Sequence, residues 1–261
     1  NLCRAQATLS GLVLVAGLCT AWGADYREQT LEQAHAMFHA ATNANAYAEA
    51  ARQYQYLVDE EAVRNGHLFY TIGNSWFMAG DVGRAILNYR RAQRYLPGDA
   101  DLHSNLETAL AARTDLIPER EPSPLMGRLL GWHFKTSTRL RWWAFAASWL
   151  MLWAAWTWAT QTGRKEARIT RTVGAILSAL LLTSLLADTL QARNARPGVI
   201  TAPEVLARKG DGERYAPAFL DPLHSGAEFE QIDDRDTWWH IRLADGQTCW
   251  IPAHAAELVA D

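Results

Sequence analysis

Two histidines and one cysteine are the best candidates for reactive side chains in this 261-residue chain. His35 and His39 are four residues apart, so both would lie on one face of a helix and could ligate a metal ion. No third ligand accompanies them and the HExxH pattern is missing, so we expect no metal site. Cys249 has no local histidine or acidic pattern that would activate its thiol, and we expect a buried structural residue.

Catalytic motifs are missing from the rest of the sequence. It contains no G-x-S-x-G, no cysteine–histidine pair and no phosphate-binding loop. We therefore expect a protein that is not an enzyme, with no catalytic residues and no cofactor. The net charge of −3 gives no general basis for nucleic-acid binding.

The most specific pattern in the chain is a helical repeat over residues 66–99. It matches the 34-residue tetratricopeptide pattern, in which two antiparallel helices pack through small and aromatic side chains. Gly73 and Ala85 are the small residues that allow a close approach, and Pro97 ends the unit. The predicted packing set is Phe69, Ile72, Gly73, Trp76, Ala85, Tyr89, Ala92 and Pro97.

Weaker copies flank this repeat on both sides. Upstream, a loose version is formed by Ala34, Phe38, Ala50 and Tyr54. Downstream, residues 101–113 supply a single helix that is predicted to cap the stack, because a repeat cannot bury its own apolar face alone. Residues 25–116 are therefore predicted to form an all-α tetratricopeptide solenoid of two repeats and a cap.

The first helix of each repeat lines the concave face of such a stack, which gives a candidate partner-binding groove. By repeat position this face carries His67, Tyr70, Asn74 and Phe77. A mixed polar and aromatic face suits an extended peptide or a partner helix. The alternative is that these residues only pack against the neighbouring repeats.

Two long apolar runs, residues 142–160 and 172–190, are predicted to be transmembrane helices. Each run, with its flanks, is long enough to cross a hydrocarbon core of about 30 Å. The basic loop between them, residues 161–171, is predicted to be cytoplasmic. Six of the twelve tryptophans lie in the first run, where their amphipathic rings suit the membrane interface, so lipid is an expected partner. Asp188 is expected to reach the interface, with a functional role as the alternative.

Residues 1–23 have the features of a secretory signal peptide. Arg4 supplies the positive start, Leu9 to Cys19 the apolar core, and positions 21–23 offer small residues for cleavage. An uncleaved anchor is the alternative. Residues 117–141 are predicted to be a proline-rich linker followed by an interfacial segment. A signal followed by two spans would place both terminal domains on the outer side of the membrane.

The composition changes after Arg193, and residues 197–259 are predicted to form five short strands and a compact barrel. Asp245 and Gly246 are predicted to form the turn of a hairpin. This turn, the run from Trp238 to Arg242 before it and Cys249-Trp250-Ile251 after it resemble the end of a bacterial SH3-like domain.

Exposed aromatic side chains on such barrels can bind peptides or glycan-linked peptides. The candidates here are Tyr215, Trp238, Trp239 and Trp250. Trp238 and Trp239 are adjacent on a predicted strand, so one should point into the core and the other outward. The alternative is that the barrel only supports the assembly.

The order of these modules resembles the BatE-type proteins of the bacterial aerotolerance (Bat) family. The resemblance is carried by residues 69–74, 88–92, 99–102 and 105–106, and it spans nearly the whole chain. It implies an inner-membrane protein with periplasmic N- and C-terminal domains. It also implies association with von Willebrand A-domain membrane proteins and a MoxR-type ATPase system in oxidative or envelope stress tolerance. The family pattern implies no catalytic residues.

The expected fold class is a multidomain membrane protein with an all-α tetratricopeptide solenoid, two transmembrane helices and an all-β SH3-like barrel. The expected function is that of a non-enzymatic scaffold that presents protein-interaction modules. The alternative is a protein that binds or senses peptidoglycan through the SH3-like domain. Binding of the isolated barrel to peptidoglycan sacculi would favour that alternative.

Overall fold

A computed structural model describes residues 27–60, 63–118, 131–132, 136–163 and 165–260 of the chain. The predicted signal peptide lies outside these residues, as does most of the predicted linker and interfacial segment. The chain forms two compact units. The first unit combines the described residues before Arg120 with those from Arg196 onward, and the second unit is formed by the described residues between them.

The N-terminal part of the first unit is a stack of helices. Helix α1 covers residues 27–40, and the helices that follow are α2 (Ala44–Asp59), α3 (Gly66–Met78), α4 (Val82–Tyr95) and α5 (Ala100–Ala111). Helices α2 to α5 each begin after a residue whose side-chain oxygen accepts a hydrogen bond from a backbone N–H of the first turn. These capping residues are Asn43, Asn65, Asp81 and Asp99.

Close packing of α3 against α4 forms the centre of the stack. Phe69 and Ile72 on α3 and Tyr89 on α4 are buried in one apolar cluster. A Cβ atom at Gly73 would lie 2.5 Å from Cδ1 of the Tyr89 ring, so the two helices touch at a point where only glycine fits. The short loop between them includes Gly80, with a φ of +83° that favours glycine.

The C-terminal part of the first unit is a small β domain. Its strands are β1 (Pro197–Ile200), β2 (Glu204–Val205), β3 (Leu223–His224), β4 (Glu228–Arg235), β5 (Trp238–Leu243), β6 (Thr248–Pro252) and β7 (Ala256–Leu258). Five of them form one antiparallel sheet in the order β6-β5-β4-β1-β7, and β2 pairs with β3. Apolar side chains such as Ile200, Ile241 and Ile251 form its core.

The predicted all-β barrel is wrong. Strands β6 and β7 are the two edges of the five-stranded sheet, and β2 and β3 form a separate two-stranded sheet. Two-residue strands such as β2 and β3 are too short to bridge those edges, and most of residues 206–222 has no regular strand structure. The architecture is therefore a five-stranded antiparallel sheet with a small second sheet.

The helical stack and the β domain pack directly against each other. Val199 of β1 and Val259 after β7 belong to the apolar cluster of the helical stack. Gly83 of α4 approaches β1 so closely that an added Cβ would lie 2.6 Å from the carbonyl oxygen of Ile200. The two modules that the sequence presents as separate domains therefore form one body.

Charged groups surround this apolar contact. The Glu228 carboxylate accepts hydrogen bonds from Arg90 at 2.7 Å and from Arg113 at 3.4 Å. Arg91, which is buried, donates to the carbonyl oxygen of Leu258 at 2.9 Å. Asp115, just after α5, accepts from the backbone N–H of His224 at 2.6 Å, and its second oxygen lies 2.8 Å from His224 Nδ1. Each contact joins the helical stack to the β domain.

The second unit contains a pair of long helices, α6 (Thr138–Thr162) and α7 (Lys165–Asn194). Contacts between them run in opposite directions along the two helices, so the pair is antiparallel. Arg141 donates to Asp188 at 2.6 Å near one end, and the Ser148 and Ser178 hydroxyls are 3.0 Å apart near the middle. Gly163, with a φ of +63°, ends α6. The predicted loop 161–171 is thus largely helical.

The prediction of two transmembrane helices is wrong. Among the described residues, one helix segment is long and apolar enough to cross a membrane, Arg168–Leu190 within α7. The predicted first span, residues 142–160, lies in α6 and does not meet that criterion. Its six tryptophans carry polar N–H groups and prefer the membrane interface to the hydrocarbon core. The apolar segment of α7 still supports the more general prediction that the chain associates with a membrane.

Candidate interaction site

The four residues predicted to line a groove lie on α3 but do not form one surface. His67, at the start of the helix, is exposed. Tyr70, Asn74 and Phe77 are half-buried, and Tyr70 and Phe77 pack against the apolar cluster of the stack.

Tyr70 and Asn74 belong to a hydrogen-bond network that joins three helices. Asn105 of α5 donates through Nδ2 to the Tyr70 hydroxyl at 2.8 Å and to Asn74 Oδ1 at 3.0 Å. The Tyr89 hydroxyl of α4 donates to Asn74 Oδ1 at 2.8 Å. Burial raises the pKa of Tyr89, so this hydroxyl stays protonated as a donor. Tyr70 and Asn74 therefore hold α5 on the stack, whether or not a partner also contacts them.

His67 contributes to a different surface, a groove bordered by α1, α2 and α3. The groove has a volume of about 530 Å³. Its wall is mainly apolar, and polar groups lie along it and at its ends. The lining residues are Arg27, Glu28, Leu31, His35, Tyr54, Leu57, Val63, Asn65, His67, Leu68 and Thr71. We refer to this surface as the α1–α3 groove.

Tyr54 gives the α1–α3 groove an unusual polar feature. Its side chain is fully buried, and its hydroxyl has no hydrogen-bond partner among the described residues. The edge of the His35 ring packs on it, with the ring centroids 5.5 Å apart. Burial raises the pKa of Tyr54 to about 12, so the hydroxyl is a neutral donor at physiological pH. A buried polar group without a partner costs about 1–3 kcal/mol, which an incoming acceptor could recover.

The sequence pattern identified only part of this groove. The sequence pattern places Tyr54 in the weaker repeat, and nothing in it distinguishes Leu31 or Thr71. The weaker repeat did indicate that a groove could form here, because a helix at 27–40 that packs like the first helix of a repeat must lie beside α3. Its spacing did not show which side chains would face the gap.

The aromatic candidates on the β domain are less open than the sequence suggested. The Trp250 ring is stacked on His240, with 4.7 Å between ring centroids, and the Arg235 guanidinium lies 5.0 Å from the centre of the Trp250 ring. Trp239 packs against the apolar core of the domain, and Trp238 is half-buried. Tyr215 is exposed. These four residues do not form one continuous aromatic surface.

The surroundings of Cys249 make it unreactive. Cys249 is buried, and burial, aided by the negative charge of Asp245, raises the pKa of its thiol to about 12. It is therefore a neutral thiol near pH 7, not a nucleophilic thiolate. Within residues 27–260, as far as they are described, no group of three or more His, Cys, Asp or Glu is placed to hold a metal ion.

Comparison with known proteins adds no assignment. No protein-family model matches the chain, and no curated protein matches it. The resemblance to the BatE-type proteins therefore stays a prediction from the repeat sequence and the order of the modules.

Proposed function

We propose that this protein is a non-enzymatic, membrane-associated scaffold that binds a polypeptide partner in the α1–α3 groove. The observation that carries the proposal is the buried, unpaired hydroxyl of Tyr54 in the wall of an apolar groove. Apolar side chains of a partner would fill the groove, and displacement of the His35 ring that packs on Tyr54 would let a partner carbonyl accept from its buried hydroxyl. Grooves of this kind bind amphipathic or extended peptides through a few anchor residues.

The proposed location is the inner membrane of a bacterium, with the first unit in the periplasm. The apolar segment Arg168–Leu190 supports membrane association, and the predicted signal peptide supports the periplasmic side. The first unit combines chain segments from before and after the helix pair, so both segments lie on the same side of the membrane. A partner bound there would be held at the membrane surface.

The proposed partners are von Willebrand A-domain membrane proteins that work with a MoxR-type ATPase in oxidative or envelope stress tolerance. This part of the proposal rests on the resemblance in module order and in the repeat sequence. Peptidoglycan binding by the β domain is the weaker candidate, because the Trp250 ring is already in contact with His240 and Arg235 and Trp239 packs against the apolar core.

Tyr54→Phe tests the proposal, because it removes only the hydroxyl. That hydroxyl has no partner in the free protein, so we expect the thermal midpoint of the full chain to stay the same or rise. Recovery of the partner A-domain proteins from membranes should fall about five- to tenfold, since one hydrogen bond is lost.

Tyr47→Phe is the matched control, since it makes the same change on α2 at a residue that does not line the groove. Partner recovery should stay at the wild-type level with this variant. Equal recovery with Tyr54→Phe and the wild type would exclude the α1–α3 groove as the binding site.

A further inference from the structure

A small cleft in the first unit lies where α3, α4 and the end of β7 meet, and its charged residues are all arginines. The cleft has a volume of about 200 Å³. The described residues that line it include no acidic side chain, and they are Arg64, Phe69, Arg91, Arg94, Tyr95 and Val259. We refer to this site as the arginine cleft. It shares no lining residue with the α1–α3 groove.

Arg91 is the buried cation of the arginine cleft, and it is only 8% exposed. Its Nη2 donates to the carbonyl oxygen of Leu258 at 2.9 Å and to the Glu257 carboxylate at 3.2 Å, which fixes the guanidinium in place. Its Nε and Nη1 donate to no described residue. Neither atom is fully enclosed, so both are open to the cleft that Arg91 lines. A guanidinium has five N–H donors, and Arg91 therefore has donors left for a ligand.

Two more arginines bring positive charge to the same cleft. Arg94, in the last turn of α4, is exposed and makes no hydrogen bond or ion pair with any described residue. Arg64, just before α3, is also exposed. A cation near a helix C-terminus interacts favourably with the helix dipole, which would account for Arg94 alone. Arg91 and Arg94 are three residues apart on one helix, however, a spacing at which like charges repel each other. An anion bound between them would replace this repulsion with attraction.

The remaining wall of the arginine cleft is apolar or aromatic. The Tyr95 ring stacks on the buried Phe69 ring, with the centroids 5.8 Å apart and the planes 23° apart. A wall of this kind lowers the local dielectric constant and strengthens the attraction between a guanidinium and an anion. Pockets for drug-sized ligands measure about 300–1,000 Å³, so the smaller arginine cleft suits a small anionic group.

We propose that the arginine cleft is a binding site for a phosphoryl group, supplied either by free phosphate or by the headgroup of a lipid that ends in a phosphate. A terminal phosphate offers three acceptor oxygens and a charge of about −1.5 to −2 near pH 7. Guanidinium groups can therefore bind it from several sides through charge-assisted hydrogen bonds. A carboxylate has two oxygens and one charge, and it would leave more of the donors unpaired. The site is separate from the α1–α3 groove and does not depend on the proposed function.

Equilibrium dialysis of the full chain in detergent against radiolabelled inorganic phosphate tests the site. We expect saturable binding of one phosphate per chain, with a dissociation constant in the millimolar range or tighter. Acetate at the same ionic strength should compete poorly, because it offers fewer oxygens and less charge. Absence of saturable binding would overturn the proposal, and so would equal competition by acetate and unlabelled phosphate.

Arg94→Gln is the variant that assigns the binding to this cleft. Arg94 has no partner among the described residues, so its loss should not disturb folding, whereas loss of Arg91 would also remove the bond to Leu258. The affinity for phosphate should fall about tenfold or more, since hydrogen bonds to a charged group are lost. Arg84→Gln is the matched control, because it removes a partly exposed arginine of α4 that does not line the cleft. Its affinity should equal that of the wild type. Wild-type affinity in Arg94→Gln would overturn the proposal.

Lipid nanodiscs distinguish the two sources of the phosphoryl group. The full chain is placed in nanodiscs of phosphatidylcholine alone or of phosphatidylcholine with phosphatidic acid, and binding of radiolabelled phosphate is measured in both. Displacement of the label by phosphatidic acid would identify a lipid headgroup as the ligand, and equal binding in both would identify free phosphate. Partner recovery with Tyr54→Phe is a separate measurement, so failure of the arginine cleft and failure of the proposed function are distinguishable.

Discussion

Gly73 is the residue at which the helices of the stack come closest. A Cβ there would lie 2.5 Å from the Tyr89 ring, and the Tyr89 hydroxyl is held by Asn74 at 2.8 Å. Gly73→Ala should therefore destabilise the protein by about 1–3 kcal/mol through overpacking. This cost exceeds the gain of about 0.5–1 kcal/mol that alanine brings to a helix interior. The denaturation midpoint of the full chain in detergent measures the difference.

Gly98 provides the matched control for this substitution. A Cβ atom at Gly98 would meet no atom within 4 Å, so Gly98→Ala should leave the midpoint nearly unchanged. If Gly73→Ala behaved like Gly98→Ala, the close packing of α3 against α4 at Gly73 would be incorrect.

Sequence spacing predicts which residues share a face of one helix, but it does not predict contacts between helices. Asn74 and Tyr70 could be placed on one face of α3 from their spacing alone. Spacing does not reveal that Asn105 of another helix bonds to both of them. The unpaired hydroxyl of Tyr54 is still harder to foresee, because it depends on what fails to approach it in the packed stack.

At the scale of elements, the contact between α4 and β1 joins the helical stack and the β domain into one body. Gly83 lies at this contact, where an added Cβ would meet the Ile200 carbonyl oxygen at 2.6 Å and the Gly226 nitrogen at 3.0 Å. Backbone atoms cannot rotate away as side chains do. Gly83→Val should therefore separate the β domain from the stack while both keep their own cores.

Spin-label distances measure this separation. With one label on α4 and one on β5, we expect the sharp distance distribution of the wild type to broaden and lengthen in Gly83→Val. The unfolding transition should also lose cooperativity, because the shared apolar cluster that includes Val199 and Val259 is opened. An unchanged distance distribution would contradict a direct α4–β1 contact.

Among the elements, those that depend on local sequence could be predicted, and those that depend on distant pairing could not. The helix pair α3 and α4 could be predicted, because capping residues, small residues and aromatic residues all agree within one local segment. The barrel was wrong because closure depends on pairing between distant strands, and β2 and β3 pair only with each other. The prediction of the first span was wrong because six of its residues are tryptophans, whose polar N–H groups prefer the interface to the hydrocarbon core.

At the scale of the whole molecule, the chain leaves the first unit, forms the α6–α7 pair and returns to the first unit. A packed body cannot be divided by a membrane, so the proposed membrane association predicts that the helical stack and the β domain are exposed to the same compartment. This consequence does not depend on the depth that the helix pair reaches. The proposal therefore also predicts that the α1–α3 groove and the surface of the β domain are available to partners on the same side.

Labelling of single introduced cysteines with a membrane-impermeant maleimide tests this arrangement most directly. Gly98→Cys reports on the helical stack and Gly212→Cys on the β domain. A Cβ at Gly98 would meet no atom within 4 Å, and one at Gly212 would make only an ordinary contact with the Tyr215 ring at 3.8 Å. Cys3 and Cys19 are first replaced by serine. The native Cys249 should not react, because it is buried and its thiol pKa is raised to about 12. Intact spheroplasts should label at both introduced positions before lysis. Labelling of one position before lysis and of the other only afterwards would contradict a single scaffold held on one side of the membrane.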